Sequence, residues 1–283
     1  MIQLRHVLVA TDLGPDSAAA FAHGRALAER FSARLILYHA VPVPDHRYAH
    51  WAFAHGHEVW MAAERHARAE LERLTAALAC PHELVLERRS SALEGVLDAV
   101  RLYQPDLVVL GTHGRDRLAH LMLGSVAEDV MTHAFRSVFC VPPLAQGAAG
   151  EYRRILVPTD FSLASQIAFP MAALFARTFE AEVTLLHVVP GSRPSGLKSV
   201  PDDLRLPTEE AVHALALEGF GDLAIFPRVR AGHVWERIVE TAKASHSDLI
   251  VMATRGHDSL SDRILGSNTE RVLRHAHCPV LVA

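Results

Sequence analysis

The spacing Gly111-Thr-His-Gly114, nine residues, then Gly124-Ser125 is the part of this chain best suited to chemistry. Glycines let backbone amides approach an anion closely, and a helix beginning at Val126 adds free amides and the positive end of its dipole. Ser125 supplies a hydroxyl donor. Charge-assisted hydrogen bonds contribute roughly 1.5 to 3 kcal/mol each, so about four or five aligned donors suffice for micromolar binding of a phosphorylated ligand after association costs. Asp12, directly after a short apolar run, is placed to accept from a sugar hydroxyl. The same residues admit a plainer reading. Ser125-Val-Ala-Glu128 and Ser267-Asn-Thr-Glu270 both carry the spacing of a capping box, in which glycine and serine only start a helix.

This constellation occurs twice. His6-Val-Leu-Val-Ala10-Thr11-Asp12 returns as Arg154-Ile-Leu-Val-Pro158-Thr159-Asp160, and LILYHAVP from Leu35 returns as VTLLHVVP from Val183, both at an offset of 148 residues. Asp106 to Gly114 (DLVVLGTHG) returns as Asp248 to Gly256 (DLIVMATRG), and Gly124-Ser125 as Gly266-Ser267, at an offset of 142. Two copies of one domain are fused, six residues longer in the middle of the first. A period of about 140 residues is a whole domain, well beyond the ~20 to 50 residues of solenoid repeats. The expected division is 1–143, a small and polar linker at 144–151, and 152–283.

Positioning these residues requires a particular framework. Short strands apolar on both faces (Val7 to Ala10, Arg34 to His39, Leu84 to Arg88, Leu107 to Gly111, Ser137 to Val141) alternate with amphipathic helices near 16–31, 58–79, 92–103 and 126–134. That alternation implies a parallel sheet covered on both sides. The second half repeats it, with strands at Ile155 to Val157, Glu182 to Val189, Ile225 to Val229, Leu249 to Ala253 and Val280 to Ala283. Its helices are expected near 163–179, 208–217, 234–244 and 268–276. The fold class is α/β: two tandem doubly wound domains, each with a five-stranded parallel sheet. Such sheets bind ligands beyond the carboxyl ends of the strands where the strand order reverses, and Asp12 and Gly111 stand at such ends.

Composition narrows the function. The chain has 283 residues, about two domains' worth, 50% hydrophobic, with a net charge of −4. That balance provides no basic field for nucleic acid or membrane. No apolar run approaches the ~20 residues needed to span a bilayer, and no secretory signal opens the sequence, so the chain reads as cytoplasmic. Cys80, Cys140 and Cys278 lack CxxC spacing and read as reduced, buried thiols. There is no GxxxxGK[ST] loop, and neither lysine, Lys198 nor Lys243, lies near the glycines, which argues against Walker-type phosphoryl transfer. There is no GxGxxG after the first strand, which argues against a dinucleotide enzyme. Leu13-Gly-Pro-Asp-Ser17 echoes only the tail of the SGGxDS loop of adenylating enzymes. His113 is the general base nearest the glycines, and a solvated loop histidine accounts for it equally well. No catalytic residue is assigned.

The segments VLVATD and ILVPTD, LYHAVP and LLHVVP, and GTHG-x9-GSVAEDVM with ATRG-x9-GSNTERVLRHAHCPVLVA resemble the universal stress proteins over almost the whole length, in the tandem form with two domains per chain. That resemblance implies a Rossmann-like fold of the adenine nucleotide alpha hydrolase type and a stress-response role. It also implies binding of ATP, or of AMP or ADP, with Mg²⁺ as an accompanying ion. In nucleotide-binding members the aspartate after the first strand contacts the ribose, backbone at the end of the second strand contacts adenine, and the glycine loop holds the phosphates. Carried over, this implicates Ala10, Thr11, Asp12, Ala40, Gly111, Gly114, Gly124, Ser125 and Val126. The second-half counterparts are Pro158, Thr159, Asp160, Val188, Gly256, Gly266, Ser267 and Asn268. Ala253 replaces the first glycine there, and its methyl would crowd a closely approaching phosphate. The first half is therefore expected to bind more tightly.

Other readings stay open. Slow ATP hydrolysis is one alternative, and a nucleotide-free module acting through an unknown protein partner is another. Asp45 to His66, which covers the six extra residues, carries His50, His55 and His57, which could hold Zn²⁺. The same histidines suit a structural flap with Trp51, Phe53 and Trp60, or a pH-sensitive switch. The segment from Gly191 to Pro207 reads as a mobile loop. The strands Val138 to Val141 and Val280 to Ala283 are edges that require cover. Members of the resembled family pair them across a two-fold axis, so the halves of this chain are expected to pair as an internal pseudo-dimer, with a homodimer of chains as a further option.

Overall fold

Apolar runs in each half become parallel strands, and the polar turns between them line one end of the sheet. The computed structural model describes residues 2–43, 49–112, 123–143, 145, 148–191, 202–254 and 265–283, without the side chains of 16, 49–59 and 202–205. The first half runs β1 (His6–Ala10), α1 (Pro15–Phe31), β2 (Arg34–Pro42), α2 (Ala49–Thr75), β3 (His82–Arg89), α3 (Ala92–Tyr103), β4 (Leu107–Gly111), α4 (Ser125–His133) and β5 (Ser137–Val141). The second runs β6 (Arg154–Thr159), α5 (Leu163–Gln166), α6 (Phe169–Phe179), β7 (Glu182–Pro190), α7 (Asp202–Phe220), β8 (Ile225–Gly232), α8 (Val234–Ala244), β9 (Leu249–Met252), α9 (Ser267–His275) and β10 (Val280–Val282).

The strands form one ten-stranded sheet ordered β3-β2-β1-β4-β5-β10-β9-β6-β7-β8. Every pairing is parallel except β5 with β10, which meet antiparallel with Phe139 opposite Leu281. The two terminal edges thus cover each other, as expected of the repeat. Alternation along the strands splits the core between the faces. Val7, Val9, Leu107 and Val109 pack with residues of α1 such as Ala20 and Leu27, while Leu8, Val108 and Leu110 pack with Val96 of α3 and Ala127 of α4. Full burial of one such side chain stabilises by about 1.5 to 3 kcal/mol, and both faces of the sheet are covered.

An aromatic block on the α1 face ties the halves together. Tyr152 meets Phe179 edge-on at 4.9 Å between centroids, and Phe139 stacks with Phe175 at 6.3 Å. Arg30 lies 5.6 Å over Phe179 and donates to the Thr178 carbonyl. Helices end alike in both repeats: Ser32 and Glu180, 148 residues apart, both take left-handed backbone with φ of 53° and 52°.

Four local expectations are corrected. The single helix expected over 163–179 is two, because Pro170 lacks an amide and its ring clashes with the carbonyl four residues back, which is that of Gln166, the last residue of α5. α2 starts at Ala49, not near Glu58, so the histidine-rich stretch is helical from Ala49 onward and is no loop. α7 starts at Asp202 and runs through Pro207, so only 192–201 of the supposed mobile loop lies outside the described residues. β8 extends to Gly232 and accepts Pro227 because it is an edge strand, with no outer neighbour among the described residues needing that amide.

Candidate functional site

In each half the strand order reverses between the first and fourth strands. β1 and β4 pair from Val7 with Leu107 to Val9 with Val109, and the chain beyond each strand opens the crevice where a ligand of this sheet type would sit. Thr11 organises the rim. Its hydroxyl exchanges a hydrogen bond with Ser17 at 2.9 Å and accepts from the Leu13 amide at 3.0 Å. Its carbonyl accepts from Nδ1 of the buried His39 at 2.7 Å. Because a carbonyl only accepts, Nδ1 carries the proton.

These bonds hold Leu13 in left-handed backbone at φ 61°, a conformation that costs an L-residue about 1 to 2 kcal/mol. Within this turn Asp12 Oδ1 accepts from the Gly14 amide at 2.8 Å. Strained non-glycine backbone of this kind concentrates at functional sites. The second half reproduces the network. Thr159 Oγ1 lies 3.0 Å from Ser165 Oγ and accepts from the Phe161 amide at 3.1 Å. His187 Nδ1 donates to the Thr159 carbonyl at 2.9 Å, and Phe161 has φ 64°. Phe161 also packs against His187, with ring centroids 4.3 Å apart and the planes tilted by 36°. Burial lowers the His187 pKa, opposed by the Thr159 carbonyl and by Asp160.

At the same end of the half-sheet, α4 begins without a side-chain cap. Gly124 is the N-cap residue, and Ser125 is already helical and exposed, so the capping-box reading is overturned; the same holds for Gly266 and Ser267 at α9. Gly124 is fixed by donating to the Thr112 carbonyl at 2.7 Å, and Gly266 by donating to the Thr254 carbonyl at 2.9 Å. Among the described residues, none accepts from the amides of Ser125, Val126 or Ala127. A helix end that presents unbonded amides favours an anion.

Asp12, Thr11 and Ala10 at the end of β1, Ala40 near the end of β2, Gly111 at the end of β4 and Gly124 to Val126 at the start of α4 therefore share one end of the first half-sheet. Pro158, Thr159, Asp160, Val188, Gly266, Ser267 and Asn268 occupy the equivalent end of the second. Gly114, Gly256 and His113 lie outside the described residues. The halves differ where it matters. Pro158 stands where Ala10 does, has no amide to donate, and the pairing of β6 with β9 stops at Leu156 with Ile250, one pair short of the first half. The Ala253 carbonyl accepts from Thr269 Oγ1 at 3.1 Å, a bond that Ala127 cannot make in the first half.

Sequence reasoning missed Ser17, Ser165, His39 and His187 as supports of the site. The signal was present: threonine and serine six apart recur at the same offset as the aspartates, and both histidines sit inside the repeated strand segments quoted for the duplication. Of the candidate metal ligands His50, His55 and His57, only the helical backbone is described. Among the described residues no group of three His, Cys, Asp or Glu side chains could hold a metal ion, and no helix is long and apolar enough to cross a membrane. Cys80, Cys140 and Cys278 are free and buried, and desolvation raises all three thiols, Cys278 to about 12.

A model of the universal stress protein family matches residues 3–142 and again residues 151–283. A universal stress protein of Methanocaldococcus jannaschii is 37% identical over 139 residues, covering 46% of this chain and 81% of its own. One from Mycolicibacterium smegmatis is 26% identical over 228 residues, covering 77% of this chain and 76% of its own. The solved structure of a universal stress protein from Archaeoglobus fulgidus has the same fold, with a TM-score of 0.72 at 19% identity over 100% of this chain and 99% of that one. Two family matches, arranged in tandem on one continuous sheet, place the chain in the universal stress protein family.

Proposed function

We propose that the first half binds an adenine nucleotide, ATP first among ATP, ADP and AMP, and that the protein acts as a nucleotide-responsive regulator in stress physiology. The observation that carries this reading is the uncapped start of α4 at the same end of the half-sheet as Asp12, beside the β1/β4 reversal. The donor set fits the ligand: backbone amides for phosphate at one end, and a carboxylate for sugar hydroxyls at the other. The strained Leu13 turn preorganises the carboxylate before ligand arrives, which lowers the ordering cost of binding. Ala40 backbone at the end of β2 is assigned to adenine. Within the described site, His39 and His187 are tied to backbone carbonyls, and this gives no support to a hydrolytic role.

The test is mass spectrometry of small molecules released from freshly purified protein, paired with calorimetric titration of ATP and AMP into wild type and Asp12→Asn. Micromolar binding weakened about tenfold or more by the substitution is expected. Failure of either nucleotide to bind, with none released on denaturation, would overturn the reading.

A further inference from the structure

β8 ends the ten-stranded sheet, and among the described residues no strand lies outside it. The Val183 amide donates to the Ala224 carbonyl at 3.0 Å, and the Gly191 amide to the Gly232 carbonyl at 3.3 Å. Successive residues of a strand direct their backbone groups to opposite sides, so residues in step with Ala224 and Gly232 bond to β7. Ile225, Pro227, Val229 and Ala231 therefore turn their backbone groups outward. The Ala231 carbonyl is already taken, accepting from Arg237 Nε at 3.0 Å. Among the described residues no hydrogen bond reaches the outward groups of Ile225 and Val229.

The side chains of this strand are sorted by face. Ile225 and Val229 are partly buried against the core cluster that holds α6. Phe226, Arg228 and Arg230 alternate with them on the other face and are exposed. Among the described residues neither arginine has an ion pair. The repeat shows that the fold does not require this arrangement. Tyr38 lies beside Val85 and its counterpart Leu186 beside Arg228, so Arg230 takes the place of Glu87 and Phe226 that of Glu83. In the first half both acids are neutralised within the chain, Glu83 by Arg34 at 2.6 Å and Glu87 by Arg89 at 2.9 Å. The second half carries the opposite charge and leaves it unpaired, in a chain whose net charge is −4.

We infer that β8 takes an extended segment of a partner protein, alternating acidic and apolar residues, as a further strand of the sheet. An added strand has the same two-residue period, so its carboxylates meet Arg228 and Arg230 on one face while its apolar side chains extend the row of Ile225 and Val229 on the other. Opposite charges across a strand pair are favourable and like charges are not. A second copy of β8 would set arginine against arginine, so the same charges that admit an acidic strand guard the edge against its own kind. Pro227 gives up only an outward amide and keeps its carbonyl as an acceptor. Main-chain bonds supply the affinity and alternate side chains the selectivity.

The experiment is fluorescence anisotropy of a short labelled peptide alternating glutamate with valine, titrated with the full-length chain. Saturable binding is expected, and Arg228→Gln with Arg230→Gln weakens it about tenfold or more. Thermal melts of that variant stay at the wild-type Tm, because neither arginine has an ion pair to lose. A peptide with lysine in place of glutamate does not bind. The glutamate peptide with methylated backbone amides, which keeps its charge but cannot extend the sheet, loses binding. The inference is overturned if the glutamate peptide does not bind, or if the double variant binds it as wild type does. Equal binding of methylated and unmethylated peptides also overturns it, leaving β8 an anion-attracting stripe that adds no strand.

Discussion

His23 Nδ1 lies 2.6 Å from Tyr152 Oη, a buried hydrogen bond that joins α1 of the first half to the segment leading into β6 of the second. Burial lowers the His23 pKa to about 4 from 6.5 and raises that of Tyr152, so the pair is uncharged at neutral pH. Each half contributes one polar group to a largely aromatic block, and the two meet in this bond.

The first prediction is a dependence of stability on pH. Between about pH 6.5 and 4 the unfolded chain takes up a proton at His23 that the folded chain does not, so the folded state is favoured at higher pH and loses stability as pH falls through that window. A shift of this size corresponds to about 3 kcal/mol by pH 4. His187, also lowered by burial, acts in the same direction. Thermal melts of wild type and His23→Gln from pH 8 to pH 4 test it: the variant should show the shallower fall, and parallel curves would rule His23 out as a contributor.

Removing the other partner has a different signature. Tyr152→Phe keeps the ring and its contacts with Phe179 but strands His23 Nδ1 in a buried site. An unsatisfied buried polar group costs about 1 to 3 kcal/mol. Urea unfolding at pH 7.5 should report a loss of that size. An unchanged midpoint would mean that the hydrogen bond adds nothing to the joining of the halves.

Gly24 gives a prediction opposite to helix propensity. It lies within α1, where alanine is favoured over glycine by about 1 kcal/mol. A β-carbon there would meet Val9 Cγ2 at 2.3 Å, and Val9 is fully buried in β1. The helix packs so closely on the strand below the site that only glycine fits. Gly24→Ala should therefore destabilise by about 1 to 3 kcal/mol through overpacking, and a gain in Tm would show that α1 can lift away from the sheet without cost.

Much of this architecture was legible because the chain states it twice. β4, α3, β5 and α8 begin and end where the sequence placed them. Ser91 caps α3 by accepting from the Glu94 amide, and Gln104 ends it in left-handed backbone, so both ends have local causes. Where no such cause was visible, reading failed. The start of α2 was missed because histidine and aromatic residues obscured an alanine-rich run of good helix formers, Ala49, Ala52 and Ala54. The uncapped α4 was obscured for the opposite reason. Ser125 and Glu128 satisfy the spacing of a capping box, but the N-cap is set by Gly124 bonding to Thr112, a contact between segments twelve residues apart that spacing cannot reveal.

The hydroxyl of Thr11 is the last element to test, because it supports both the fold and the candidate site. It accepts from the Leu13 amide and donates to Ser17, whose own hydroxyl donates to the Gly14 carbonyl at 2.9 Å. Replacing it with the near-isosteric valine leaves the Leu13 amide without its partner and removes the tie that holds φ of Leu13 positive. The turn should relax, and Asp12 should lose its aim. Thr11→Val is expected to cost about 1 to 3 kcal/mol in stability and to weaken ATP binding by about tenfold through misplacement of the carboxylate. Thr11→Ser retains the hydroxyl and should recover most of the affinity. Thr159→Val should reproduce the stability loss while leaving first-half binding intact. Equal binding by Thr11→Val and wild type would separate the hydroxyl network from ligand recognition and leave it a purely structural feature of both repeats.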